Sequence, residues 1–238
     1  MHPYLASLLE GNIPEAAPVE FQKPPSFPDY AKSMGYSYDQ IADPAMADEM
    51  LSLRLEFQKI EFDHALNSGY AFELKQSAAT LGAYSTVTKP LCAQVAARLQ
   101  GKRVLEIGAG RGFMAKGLAE CGIEVTATDS QLWDSMPAIY DVKQMGMEEA
   151  VKAHGPSHDV LMVIWPFRRS PLKAVFRAWH ALKGEKAFVV YCGEDGGGAT
   201  AGYAALSLLE PVESLLGWID YPTSPYLKDD IGGYRVVI

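Results

Sequence analysis

The sequence predicts an α/β fold: a Rossmann-like, seven-stranded, mostly parallel sheet with an antiparallel last strand, preceded by a helical cap. Three observations predict it. From Lys102 onward, short runs rich in Val, Ile and Leu alternate with helical stretches, as expected for strands covered on both faces. The first of these runs, "VLEIG", passes directly into a glycine-rich turn, "GAGRG". The roughly 100 residues before that turn lack the alternation and carry helical periodicity instead.

Each element can be justified in order. Five prolines within residues 14–28 exclude a long helix there and predict an extended, Pro-rich arm. "ADPAMADEMLSLRLEFQKIEFDHAL" then gives a broad apolar face at helical spacing through Met46, Met50, Leu51, Leu53, Leu55, Phe57, Ile60 and Phe62, predicting a long helix that ends near Ser68-Gly69. "AFELKQSAATLGAY" reads as a second helix closed by Gly82. "TKPLCAQVAARLQGK" is a third, with Thr88 as cap, Pro90 early and Gly101 as terminator. The strands follow as "RVLEIG", "EVTATD", "DVKQM", "DVLMVIW" and "KAFVVYCG", with helices at "FMAKGLAECG" and "PLKAVFRAWHALKG". "ATAGYAALSLLE" is a further helix, and "PVESLLGWI" and "GGYRVVI" are the last two strands. The division expected is an arm and helical cap over residues 1–83 and an α/β core over 84–238, with no repeat and no low-complexity linker.

Composition bounds what this fold does. The 238 residues are 48% apolar, enough for one core without a disulfide or metal staple. Cys92, Cys121 and Cys192 are scattered and show no metal-ligand spacing, which predicts a reduced, cytoplasmic protein without a metal site. The start has neither a basic segment nor a continuous apolar run, so no secretion signal is expected, and no run approaches the ~20 residues of a membrane span. A net charge of −8, with Arg168-Arg169 the only Arg-Arg pair, argues against a nucleic-acid partner and for a small-molecule or protein substrate.

The turn narrows the ligand. The dinucleotide fingerprint G-x-G-x-x-G needs its third glycine where this chain has Phe113; the glycines here are Gly108, Gly110 and Gly112. With Ala109 they let backbone approach a ligand closely. Glu106, two residues before the first glycine, stands where a dehydrogenase has an apolar residue. A carboxylate there suits the cationic amino group of a bound amino acid. Asp129, ending the next strand, can accept both ribose hydroxyls of a nucleoside.

At these residues the chain resembles the class I S-adenosylmethionine-dependent methyltransferases, over roughly residues 84–238. It looks like a branch that pairs an "EIGAG-G" turn with "WPP" after strand four and "GEG-GG" after strand five. The matches are "EIGAGRG" at 106–112, "IWPF" at 164–167 and "GEDGGGATA" at 193–201. The branch pattern has Pro where this chain has Phe167 and Gly where it has Asp195. The resemblance implies S-adenosyl-L-methionine as cofactor and transfer of a methyl group to a small-molecule acceptor, and it names no acceptor. Transfer or cyclisation of the cofactor's aminocarboxypropyl arm would use the same residues. A non-catalytic nucleotide-binding module and a nicotinamide oxidoreductase are the more remote alternatives.

Other residues carry two readings each. In "QMGMEEAV", Met147 packs on an adenine ring and Glu148 accepts from its amine, or both simply start a helix. Trp165 and Pro166 sit where strand four ends, with Trp165 either an aromatic wall beside a ligand cation or a core residue. Glu194, beside Asp195, is the first choice for a substrate-binding carboxylate or base. Tyr70 and Tyr84 flank the junction of cap and core, and the arm and cap are expected to close the pocket as a lid, with Tyr30, Tyr70 and Tyr84 facing it. His64, on the cap helix, reads as a surface or packing residue.

Overall fold

Seven strands form one sheet in the order β3-β2-β1-β4-β5-β7-β6: β1 (Arg103–Ile107), β2 (Glu124–Asp129), β3 (Val142–Gln144), β4 (Val160–Ile164), β5 (Phe188–Glu194), β6 (Leu209–Pro211) and β7 (Asp229–Val236). The computed structural model describes residues 1–18, 21, 27–130, 136–194, 198–217, 219–222 and 229–238, with the backbone alone for residues 60–69. β1 to β5 are parallel, and β7 runs antiparallel to both β5 and β6. This is the fold expected from the sequence. Strand order reverses between β1 and β4, which opens a crevice at their carboxyl ends.

The helices are α1 (Pro3–Leu9), α2 (Phe27–Ser33), α3 (Tyr38–Ala42), α4 (Ala47–Thr80), α5 (Lys89–Leu99), α6 (Phe113–Glu120), α7 (Met147–His154), α8 (Leu172–Lys183), α9 (Tyr203–Leu206) and α10 (Glu213–Leu216). Alternate strand residues feed two cores. Val104, Val160, Met162 and Val190 pack with α1, α5 and α6 on one face. Leu105, Ile107, Leu161, Val163 and Val189 pack with α7 and α8 on the other. Period-two alternation of uniformly apolar residues is what a doubly covered parallel sheet requires.

Three expectations are corrected. The cap helix does not end at Ser68-Gly69; α4 runs unbroken from Ala47 to Thr80. One glycine costs a helix interior only about 1 kcal/mol, too little to interrupt a helix held at both ends. "PVESLLGWI" is not a strand: pairing stops at Pro211, and Glu213–Leu216 turns into α10, which ends at Gly217 with φ +64°. Gly233 of β7 allows this, since a Cβ there would lie 3.0 Å from the Cβ atoms of both Leu215 and Leu216. The helix read in "ATAGYAALSLLE" shortens to the single turn α9.

The arm is integral to the core. Tyr4, Leu8 and Ile13 are buried with Cys92 and Leu118. Lys89 N–H donates to the Pro14 carbonyl (2.9 Å), and Lys116 Nζ donates to that of Gly11. Phe27, Ala31, Met50, Leu53 and Phe57 form a separate small cluster between α2 and α4. No helix among the described residues is long and apolar enough to cross a membrane.

Candidate functional site

The crevice at the ends of β1, β2 and β4 holds a cleft of about 420 Å³. Its floor is the turn between β1 and α6. Gly108, Gly110 and Gly112 all have left-handed backbone, with φ of +65°, +57° and +86°. The left-handed backbone favours glycine at each, and at Gly112 space does too, since a Cβ there would sit 2.8 Å from Tyr140 Cβ; one on Gly108 would meet only the mobile end of Met147, 2.6 Å from its Cε. Gly108, Ala109 and Gly110 line the cleft. Gly112 does not; it serves the turn that starts α6.

Two carboxylates stand on this floor in opposite conditions. Glu106 is 1% exposed, and its Oε2 has no hydrogen-bond partner among the described residues. Burial pushes its carboxyl up to about 8, against the pull of the Ala115 N–H, while the charge of Asp129 adds to the rise. Asp129 accepts from the Gly110 N–H at 2.8 Å, which locks the glycine turn to the end of β2. Both side chains line the cleft.

The walls come from three segments. Met147, at the start of α7, closes one side. Trp165, Pro166, Phe167 and Arg169 follow β4. Trp165 is the only non-glycine with positive φ among the described residues (+50°), a conformation that costs about 1–2 kcal/mol. Its backbone N–H donates to the Cys192 carbonyl at 2.7 Å, and its ring lies 5.0 Å from Lys75 Nζ. Residues 82–85 make the third wall, where Tyr84 meets Phe167 edge to face with ring centres 5.4 Å apart. Burial, and then the charge of Asp129, raises the Tyr84 phenol above its ordinary value. Arg111 fastens this segment to the turn, donating to the carbonyls of Leu81 (2.7 Å) and Pro137 (3.0 Å).

Four expected residues lie elsewhere. Tyr70 is 48% exposed on α4, against the ring of His2. Tyr30 packs on Phe57 in the outer cluster, so of the three tyrosines only Tyr84 lines the cleft. Glu148 is exposed on the first turn of α7, one position round from Met147. Glu194 turns back on its own loop, where its carboxylate accepts from the Ala199 N–H, and it does not line the cleft. Asp195 and the side chain of His64 fall outside the described residues.

The structure also gathers residues the sequence reading passed over. Lys75, 6% exposed, donates to Thr86 Oγ1 at 3.2 Å and stands 3.8 Å from Asp229 Oδ2. Tyr221 donates to the same Asp229 oxygen (2.9 Å) and accepts from the Thr86 N–H (3.2 Å). Burial lowers the Lys75 ammonium from the ordinary lysine value, opposed chiefly by Asp229. This polar network stands behind Trp165 and joins α4, β7 and the segment that carries Tyr84. A signal existed: Lys75 shares its helical face with Ala71, Leu74 and Ala78, all buried.

No protein-family model matches the chain, and no curated protein matches it. Solved structures resemble it in part. A mutant of MtNAS in complex with S-adenosylmethionine is 15% identical, with 89% of this chain and 88% of that one covered and a TM-score of 0.45. The CcbJ methyltransferase from Streptomyces caelestis is 15% identical over 63% of this chain and 94% of that one (TM-score 0.41). The 1,6-didemethyltoxoflavin-N1-methyltransferase of Burkholderia thailandensis, with S-adenosylhomocysteine bound, is 16% identical over 63% and 80% (TM-score 0.42). At such low identity and TM-scores these likenesses decide nothing about what this chain binds.

Proposed function

We propose that the protein is an S-adenosylmethionine-dependent transferase, passing a methyl group to a small-molecule acceptor. One observation carries this reading: the Glu106 carboxyl, buried on the cleft floor with an oxygen that no described group satisfies. A buried polar atom of this kind costs about 1–3 kcal/mol unless something pairs with it. A ligand ammonium would satisfy it and favour its charged form. The surrounding geometry fits the rest of the cofactor. The glycine turn leaves backbone open beside Glu106, Asp129 stands one strand away for ribose hydroxyls, and Met147 offers an apolar surface for a purine.

When bound, S-adenosylmethionine supplies a methyl group already activated by its sulfonium. The chain's own residues then have to orient, align and exclude water. Trp165, Pro166 and the Tyr84–Phe167 pair wall the side of the cleft open to an acceptor. Tyr84 stays protonated at neutral pH, so it acts as a hydrogen-bonding wall and not as a base. Glu194 is engaged in its own loop, and no base is assigned to it.

The products test the reading. Incubation with S-adenosylmethionine and pools of small acceptors, followed by mass spectrometry, should yield S-adenosylhomocysteine and a methylated product. Methylthioadenosine instead would mean that the aminocarboxypropyl arm moves. A tightly held nicotinamide cofactor in the purified protein would overturn the reading outright.

A further inference from the structure

Beside the cleft runs a second depression, a groove of about 620 Å³. Ser170 and Pro171 line both, so the two are continuous. Arg168, Lys173 and Arg177 line the groove, and Arg169 lines the adjoining edge of the cleft. All four are exposed, and none has an ion-pair partner among the described residues. Among the described residues, no Asp or Glu lines the groove.

This concentration runs against the chain's overall charge. The protein has 29 acidic and 21 basic residues, yet from Val160 to Gly184 there are five Lys or Arg and no Asp or Glu. Lys173 and Arg177 are one helical turn apart on α8, so their charges point the same way, and Arg168 faces them from the loop before it. Like charges held together repel, and the arrangement is stable at low cost only because water screens it. What it gains is a local positive site on an otherwise negative surface. Guanidinium groups match the oxygens of a phosphate two at a time.

Resting on the reading of the cleft as a transferase site, we infer that the acceptor carries a phosphate or diphosphate group, held in this groove by Arg168, Lys173 and Arg177 while its reacting atom enters the cleft past Arg169. The groove's volume lies in the range of small-molecule sites. The protein's net charge of −8 disfavours a long polyanion, whose binding depends on an extended basic surface.

Calorimetric titration of the full chain with inorganic pyrophosphate at low salt tests the inference, in the free protein and with S-adenosylhomocysteine present. Pyrophosphate should bind both, and Lys173→Glu/Arg177→Glu should weaken it at least tenfold while leaving S-adenosylhomocysteine affinity unchanged. Lys143→Glu/Lys152→Glu, the same charge change at exposed positions elsewhere, should alter pyrophosphate affinity less than twofold. No pyrophosphate binding, or equal losses in both double variants, would overturn the proposal. So would a single-stranded oligonucleotide that binds the groove when pyrophosphate does not. Failure of S-adenosylhomocysteine to bind would instead strike the cofactor reading and leave the pyrophosphate result to be judged separately.

Discussion

Glu106 and Asp129 are carboxylates at adjacent strand ends, and their surroundings set different tests for them. Glu106 was legible in the sequence because an acid closing a buried apolar strand needs a partner that the strand cannot supply. Its folded value of about 8 lies above its ordinary 4.5. The stability that its neutral form permits is therefore fully present below about pH 4.5 and is lost as pH rises through about 8. Glu106→Gln stays neutral throughout, so its stability relative to the unmodified protein should grow across that window, by on the order of 2–4 kcal/mol at the upper end. Chemical unfolding at pH 5 and pH 8.5 would show it; a constant difference would contradict the assignment. A ligand ammonium beside Glu106 favours the carboxylate, so cofactor binding at pH 7 should release a proton. The binding enthalpy should then vary with the ionisation heat of the buffer, and in Glu106→Gln it should not. Tyr70 and Glu148 misled because sequence gives a side chain's type and not its direction. Each lies a single helical step, about 100°, from a residue that does turn inward, Ala71 and Met147.

Elements explain which parts of the site were hidden. β1, its turn and β2 are local, and their glycines and strand ends announce themselves within about 25 residues. The polar network behind Trp165 is assembled from α4, the segment after it, and β7, over 150 residues of sequence. No spacing rule joins such distant pieces, and the register of α4 becomes fixed only when it is seen as one 34-residue helix. Lys75 couples that helix to the wall of the cleft. Lys75→Met should remove the ammonium that stands beside buried Asp229 and donates to Thr86, and destabilise the protein by about 3 kcal/mol, measured by urea unfolding. Adding Asp229→Asn should restore part of the loss, and strict additivity of the two changes would show that they do not interact. At the turn, Gly112→Ala combines a left-handed backbone with a Cβ 2.8 Å from that of Tyr140. It should cost about 1–3 kcal/mol of stability, and an unchanged unfolding midpoint would contradict the geometry.

At the scale of the molecule, the sheet and its order were legible because a doubly covered parallel sheet leaves a continuous apolar record. The first 46 residues were not, since short helices between prolines carry no period long enough to read. Their burial changes what they are for. Leu8 and Phe21 are almost wholly enclosed, so the arm completes the core where a detachable lid was expected. Removing residues 1–13 should uncover Leu118 and Cys92 and lower the thermal midpoint by well over 5 °C, since losing several buried apolar side chains costs a few kcal/mol. A truncated protein with an unchanged midpoint would return the arm to the role of a lid. The central claim, that this cleft holds S-adenosylmethionine through its two carboxylates, is tested most directly by titrating S-adenosylhomocysteine into the protein and into Asp129→Asn. Asparagine keeps an acceptor for the Gly110 N–H, so the turn survives while the charge proposed to hold the ribose is lost. The predicted result is one-to-one binding, weakened about 10- to 150-fold in the variant (~1.5–3 kcal/mol) with an unchanged thermal midpoint. No binding to the unmodified protein, or equal binding to both, would contradict it.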